Sequence, residues 1–239
     1  MEQYFFISDA HLGHSDPGTE RNKEKLFKDF LIHVRKNAAG LFIVGDLFDF
    51  WFEYKHAIPS RYFTVLSELK KCTDSGVEIK YITGNHDFWM FDFFPKHLGI
   101  KVYKDFLELS ILSKRFYITH GDGIAKKDYG YRVLKKIIQN KINISLFRLV
   151  HPDISFEVAG FFSRLSRNHR EIKNQDMEYV EFAKQKFTEG FDCVVIGHTH
   201  RALEYHHKNK TYVNTGEWYE KFTFARFSGD KLTLENWPV

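Results

Sequence analysis

Cysteine is nearly absent. Only Cys72 and Cys193 occur in 239 residues, one near the end of a helical pattern and one inside an apolar strand pattern. Neither neighbours a motif that would supply a thiol partner. That excludes a disulfide scaffold and fits a reduced, cytoplasmic protein. No apolar run approaches the ~20 residues of a membrane span, so any membrane contact is expected to be peripheral. A cleaved leader has no room before the first motif, because residues 4–8 already read as a strand. Repeats and low-complexity segments are missing too. Net charge is small, +4 at pH 7, and alone argues for no anionic partner.

What is abundant is apolar and aromatic. The chain is 43% hydrophobic and 17% aromatic, with 25 Phe, enough for the core of one large α/β or layered β domain. That is more Phe than such a core needs, which points to an apolar groove or a membrane-facing patch. Positive charge is concentrated. Residues 124–187 hold 13 Lys+Arg against 7 Asp+Glu. A solvated helical face and a surface for an anionic ligand or membrane both fit that excess.

Apolar runs at Tyr4–Ile7, Leu41–Val44, Val77–Thr83, Phe116–Thr119 and Cys193–Ile196 predict buried strands. Glu24–Lys36 and Tyr62–Cys72 have helical periodicity between the first three. Taken alone, this alternation reads as parallel βαβ units in a doubly wound sheet. Residues 124–187 show helical periodicity without strand alternation and read as an inserted cap. That leaves 1–123 and 188–239 as the core. Ser228-Gly229-Asp230 predicts a hairpin turn between Phe222–Phe227 and Leu232–Asn236.

Chemistry-bearing residues follow these strands in five clusters. They are Asp9-Ala10-His11, Gly45-Asp46-Leu47-Phe48-Asp49, Gly84-Asn85-His86-Asp87, His120-Gly121-Asp122 and Gly197-His198-Thr199-His200. A lone His or Asp at a strand end is usually structural. Seven suitable donors, each just past a buried strand, are hard to collect by chance. The donors are oxygen and imidazole with no thiolate, which suits a pair of divalent cations such as Mn, Fe or Zn.

The series D-x-H, G-D-x-x-D, G-N-H-D, H-G-D and G-H-T-H resembles the calcineurin-like metallophosphoesterase superfamily. The resemblance covers residues 4–121 and 188 to about 217. It implies an α/β fold of another kind, a two-layer β-sandwich flanked by helices, with two metals at the sheet edge. It assigns Asp9, His11 and His200 to one metal and Asn85, His120 and His198 to the other, with Asp46 bridging. It further implies attack by a metal-bridging hydroxide. His86 would contact the phosphate and assist the leaving group, and Asp49 would orient it. An Asp–His pair fixes the imidazole tautomer, which suits a general acid. Asp87 and Asp122 are left to turns or supporting roles.

The cap must decide the substrate. Gly45 to Phe52, the long insertion and Gly197-His198-Thr199-His200-Arg201 resemble the UDP-2,3-diacylglucosamine pyrophosphohydrolases of lipid A synthesis. That resemblance implies hydrolysis of the UDP-linked acylated sugar to UMP and 2,3-diacylglucosamine 1-phosphate. It implies Mn as the metal and substrate contacts from Asp128 and Tyr131. Arg164 and Arg167 are the candidates for the phosphates. Apolar cap residues interleaved with Arg148, Arg164, Arg167 and Arg170 fit an acyl groove, or a surface on the inner face of the cytoplasmic membrane. For each cap Phe taken singly, packing onto the core is the commoner role. The best-known members carry Arg where this chain has His86, a departure that bears on specificity. The alternative is a phosphodiesterase, nuclease or nucleotide phosphohydrolase on another substrate. A nucleic-acid partner would call for an exposed basic track with stacking aromatics, and no protein partner can be named. A non-catalytic module should have lost ligands, and this chain keeps all seven.

Overall fold

The computed structural model describes residues 2–125, 135–158 and 175–238. Two β-sheets pack face to face. The first has the order β11-β10-β1-β2-β3-β4 and the second β5-β6-β7-β9-β8. In the first sheet, β1 (Gln3–Ile7), β2 (Gly40–Val44), β3 (Glu78–Ile82) and β4 (Lys101–Tyr103) run parallel. In the second, β5 (Phe106–Ile111) pairs antiparallel with β6 (Lys114–Thr119), which runs parallel to β7 (Cys193–Ile196). β8 (Leu203–His207) and β9 (Lys210–Asn214) form a hairpin whose β9 lies parallel to β7. The hairpin of β10 (Thr223–Ser228) and β11 (Lys231–Asn236) returns to the first sheet, where β10 pairs with β1. Gly229 has φ +68°, which suits its two-residue turn.

The doubly wound reading is therefore corrected to the sandwich. Five strands were recognised rightly, but β6 and β7 belong to a second sheet. The reason is β4 and β5, which the apolar runs do not reveal. They are half-exposed edge strands, and the chain changes sheets between them. Thr83 and Thr119 fasten that crossing, their hydroxyls donating to Lys104 O at 2.9 Å and Asp105 O at 2.8 Å.

Helix α1 (Pro17–Asn37) starts seven residues before its apolar periodicity does. Asp16 caps it, accepting from Gly18 N and Thr19 N, and Pro17 occupies the first turn. Its buried stripe is Phe27, Phe30, Leu31 and Val34. With α2 (Phe63–Asp74) it covers the outer face of the first sheet. Between the sheets, Phe6 stacks on Phe42 at 4.7 Å and on Phe116 at 5.6 Å. This middle layer also holds Cys193, while Cys72 lies under α2, and both thiols are free. Burial pushes Cys72 up to about 11 and Cys193 up to about 12.

The insertion contributes α3 (Lys141–Phe147) and, after it, α4 (Gln175–Thr188). The sequence places 175–187 in the cap. In the fold, Tyr179, Val180, Ala183 and Phe187 of α4 pack with Val194, Ile196 and Tyr212 on the second sheet.

Phe6→Ala is expected to destabilise the protein by about 3–5 kcal/mol, because it opens a cavity where both sheets meet. Urea denaturation reads this. A loss under about 1 kcal/mol would contradict the packing described.

Candidate metal centre

The five motif loops leave the carboxyl ends of β1, β2, β3, β6 and β7 and converge at one end of the sandwich. The loops are zipped together by main-chain bonds. Asp9 N donates to Gly45 O, His11 N to Asp46 O and Gly197 N to His120 O, at 3.0–3.1 Å. Leu12 and Phe48 form a parallel bridge beyond β1 and β2.

Asp9, His11, Asp46, His198 and His200 all adopt left-handed φ, between +41° and +68°. For non-glycine residues this conformation costs roughly 1–2 kcal/mol each. Strain gathered on five ligand candidates marks a site whose geometry the surrounding fold imposes. Glycine is required nearby. Gly45 has φ +83°, and a Cβ there would lie 2.5 Å from His120 Nδ1. A Cβ on Gly84 would strike the Asp46 carboxylate.

All seven ligand candidates come together. His200 Nε2 lies 3.2 Å from Asp9 Oδ1 and from His11 Nε2. His120 Nε2 lies 3.3 Å from Asn85 Oδ1 and from His198 Nδ1. Asp46 Oδ2 stands between the two sets, 3.8 Å from His11 Nε2 and 3.3 Å from His120 Nε2. That is where a bridging carboxylate belongs.

The residues fit two cations on their own chemistry. Asp9 Oδ1 and Asp46 Oδ2 are buried without a hydrogen-bond partner among the described residues. The opposite edges of His120, His200 and Asp46 are satisfied and aimed. His120 Nδ1 lies 2.8 Å from Val44 O, so it carries the proton and leaves Nε2 to ligate. His200 Nδ1 lies 2.9 Å from the Tyr219 hydroxyl. Asp46 Oδ1 accepts from His86 N at 2.9 Å.

Electrostatics agree. Burial would raise the Asp9 and Asp46 carboxyls, but the surrounding imidazoles outweigh it and hold both well below the usual range. Burial drops His11 to about 3. Burial also opposes a charge on His120, yet Asp46 and Asp9 lift it to about 10. Ionised carboxylates this deep require positive charge beside them.

His86 is held differently from expectation. Its Nδ1 lies 2.7 Å from the main-chain carbonyl of Asp49, while the Asp49 carboxylate stands 3.8 Å away. The tautomer is thus set by a backbone acceptor. Asp49 Oδ1 also lies 3.8 Å from His11 Nδ1, and Oδ2 lies 3.9 Å from His14 Nδ1. Ligand atoms of His11, Asp46 and His86 fall within 4.8 Å of one another. Asp128, Tyr131, Arg164 and Arg167 lie outside the described residues.

The sequence leaves Asp87 and Asp122 to turns or supporting roles and gives none to Lys23 or Tyr219. Asp87 is buried and accepts from Leu47 N, Gly84 N and the Tyr81 hydroxyl, tying the Asp46 and Asn85 loops together. Burial and the Asp46 charge raise it to about 6. Its place in G-N-H-D was the only signal. Buried Lys23 reaches from α1 to His11 O at 2.8 Å, and no motif announces it. Tyr219, 19 residues past His200, is equally silent. Asp122 pairs with Lys135 at 2.8 Å, fastening the His120 loop to the insertion.

The Phe and Trp residues that follow the Asp46 and Asn85 motifs, at 50, 51, 52, 88, 89, 91, 93 and 94, divide. Trp51 and Phe94 belong to the core, with Phe93 packed against it. Phe50, Phe52 and Trp89 receive Phe147 of α3 at 6.4, 4.8 and 5.3 Å, and Phe50 receives Phe156 at 5.1 Å. Arg148 covers the Phe91 ring at 4.8 Å. For these rings, packing of the insertion onto the core is what the fold shows.

Comparison with known proteins follows this geometry. The model of the calcineurin-like phosphoesterase family matches residues 3–202. The chain belongs to that family. It is 29% identical to the UDP-2,3-diacylglucosamine hydrolase of Porphyromonas gingivalis, over 97% of this chain and 96% of that protein. The protein of that name from Haemophilus ducreyi is 30% identical, over 91% of this chain and 92% of its own length. That from Neisseria meningitidis serogroup B is 29% identical over 96% of each. An archaeal phosphodiesterase shares the fold, with TM-score 0.52 and 13% identity over 98% of this chain and 99% of that one.

Asp87→Ala is expected to lower metal affinity roughly 10–100-fold while the chain stays folded, since it releases two ligand loops. Titration calorimetry with Mn²⁺ and circular dichroism check this. Unchanged affinity would show that Asp87 braces nothing.

Proposed function

We propose that this protein hydrolyses the pyrophosphate of UDP-2,3-diacylglucosamine, releasing UMP and 2,3-diacylglucosamine 1-phosphate for lipid A synthesis. The observation that carries the reading is similarity to hydrolases of that substrate along nearly the whole chain, insertion included. The cluster supplies the matching chemistry. Asp9, His11, Asp46 and His200 would hold one divalent cation, and Asp46, Asn85, His120 and His198 the other. Bound there, such cations activate water at neutral pH and neutralise phosphoryl charge. Their hard oxygen donors favour Mn, and Fe or Zn would use the same set.

His86 faces the reacting phosphate with its tautomer fixed by Asp49 O, and serves as phosphate contact and acid for the leaving group. Asp128, Tyr131, Arg164 and Arg167 remain the sequence's candidates for the rest of the substrate. Asp46→Ala is expected to abolish turnover, measured as UMP release with added Mn²⁺. Near-normal release in that variant would remove the two-metal reading. Cleavage of bis-p-nitrophenyl phosphate without UMP release by the unaltered protein would transfer it to another phosphodiester substrate.

A peripheral site of action on the inner face of the cytoplasmic membrane belongs to the same proposal. No described helix is long and apolar enough to cross a membrane. Ile142 and Leu146, one turn apart on α3, and Leu149 in the turn that follows it are 69%, 58% and 83% exposed. Lys141 and Arg148 flank them. An apolar face edged by cations suits anionic lipid. Leu149→Glu is expected to weaken sedimentation with phosphatidylglycerol vesicles roughly tenfold, having exchanged a buried apolar group for a charge. Equal sedimentation would place lipid contact elsewhere.

A further inference from the structure

Beside the metal centre lies a second cavity of about 440 Å³, between the loop 54–61 and the helical residues 152–157. Both walls abut metal-binding loops. Arg61 donates to Gly13 O at 3.0 Å, two residues past His11. Phe156 packs on Phe50, four residues past Asp46. The Tyr54 hydroxyl and Ser155 Oγ, 2.5 Å apart, join the two walls. The cavity is thus set against the loops that carry two ligand candidates.

Its lining is of three kinds, the first an aliphatic part from Ala57, Ile58, Pro59 and Pro152. Tyr54 and Phe156 offer aromatic surface from opposite walls. Ser60, Arg61, Asp153 and Glu157 put a hydroxyl, a cation and two carboxylates around the exposed rim. An acyl chain would strip water from these charges and return no hydrogen bond. A nucleoside satisfies the aromatic and the polar parts. Its base offers a flat face to aromatic rings, worth a substantial share of binding in other nucleotide sites. Its ribose hydroxyls and base N–H donate to carboxylates, as ribose does to acidic residues in dinucleotide folds. Arg61 adds a forked donor for phosphate oxygen on the side that meets Gly13.

We propose that this cavity is the nucleoside subsite, holding uridine while its phosphate reaches the metal centre. The proposal rests on the pyrophosphate reading above and adds to it a place for one half of the substrate. It gives the two halves separate homes. The sugar and acyl chains are left to the other side of α3.

Calorimetry of the metal-loaded protein with UMP and with inorganic phosphate tests this. Phosphate offers the metals similar oxygens without a nucleoside. UMP is expected to bind at least about tenfold tighter than phosphate, and Ser60→Trp, which fills the cavity, to remove that difference. Equal affinities in the unaltered protein, or an advantage that survives Ser60→Trp, would overturn the proposal. Should the variant misfold, irradiation of the unaltered protein with 5-iodouridine 5′-monophosphate decides. Crosslinks are expected at Tyr54 or Phe156, and crosslinks confined to other regions would refute the site. UMP release from UDP-2,3-diacylglucosamine is scored separately. Turnover without cavity-dependent UMP binding sinks the subsite alone. Cavity-dependent UMP binding without turnover sinks the substrate reading and leaves a nucleotide site.

Discussion

The constraint on which the rest turns is a carboxylate buried between two imidazoles. Asp46 lies at the end of a strand covered on both faces, with one oxygen satisfied by the His86 amide and the other turned inward. Such a group is tolerable only beside positive charge. Around it the fold assembles side chains from residue 9 to residue 200. The left-handed backbone at five of these positions is a local cost that the apolar layers offset. The sandwich is therefore less a container for the site than the frame that forces its geometry.

The same loops do two jobs. After supplying Asp46 and Asn85 they run on side by side, with Trp51 N donating to His86 O and Glu53 N to Trp89 O. Their far ends carry Phe50, Phe52 and Trp89, on which α3 docks through Phe147. Lys135 ties the insertion to the His120 loop through Asp122. Lys135 and α3 are thus registered against the loops of the metal centre, while α4 packs on the second sheet. Small errors in the docking of α3 would be felt at the ligands.

The strands and the side chains that cluster at their ends could be read because each leaves a local mark. A strand buried on both faces must be apolar throughout, and ligands at its end must be His, Asp or Asn. The sheet assignment left no such mark. β5 does alternate at Leu107, Leu109 and Ile111, a period-two signal that a search for continuous apolar runs passes over. The start of α1 was written in Asp16-Pro17, a cap followed by a first-turn proline, outside the periodic stretch. Lys23 and Tyr219 act through distances that only the folded chain creates. The partner of His86 proved to be a carbonyl, a group every residue has and no sequence pattern can single out.

Chain order adds a consequence for biosynthesis. β1 emerges first, yet its neighbour on one side, β10, is among the last segments made. His198 and His200 also arrive late. A chain made only as far as residue 197 would hold Asp9, Asp46 and Asn85 without the partners that complete either ligand set. The centre can close only once residue 200 has been made, so a shorter stretch of the chain cannot assemble both ligand sets.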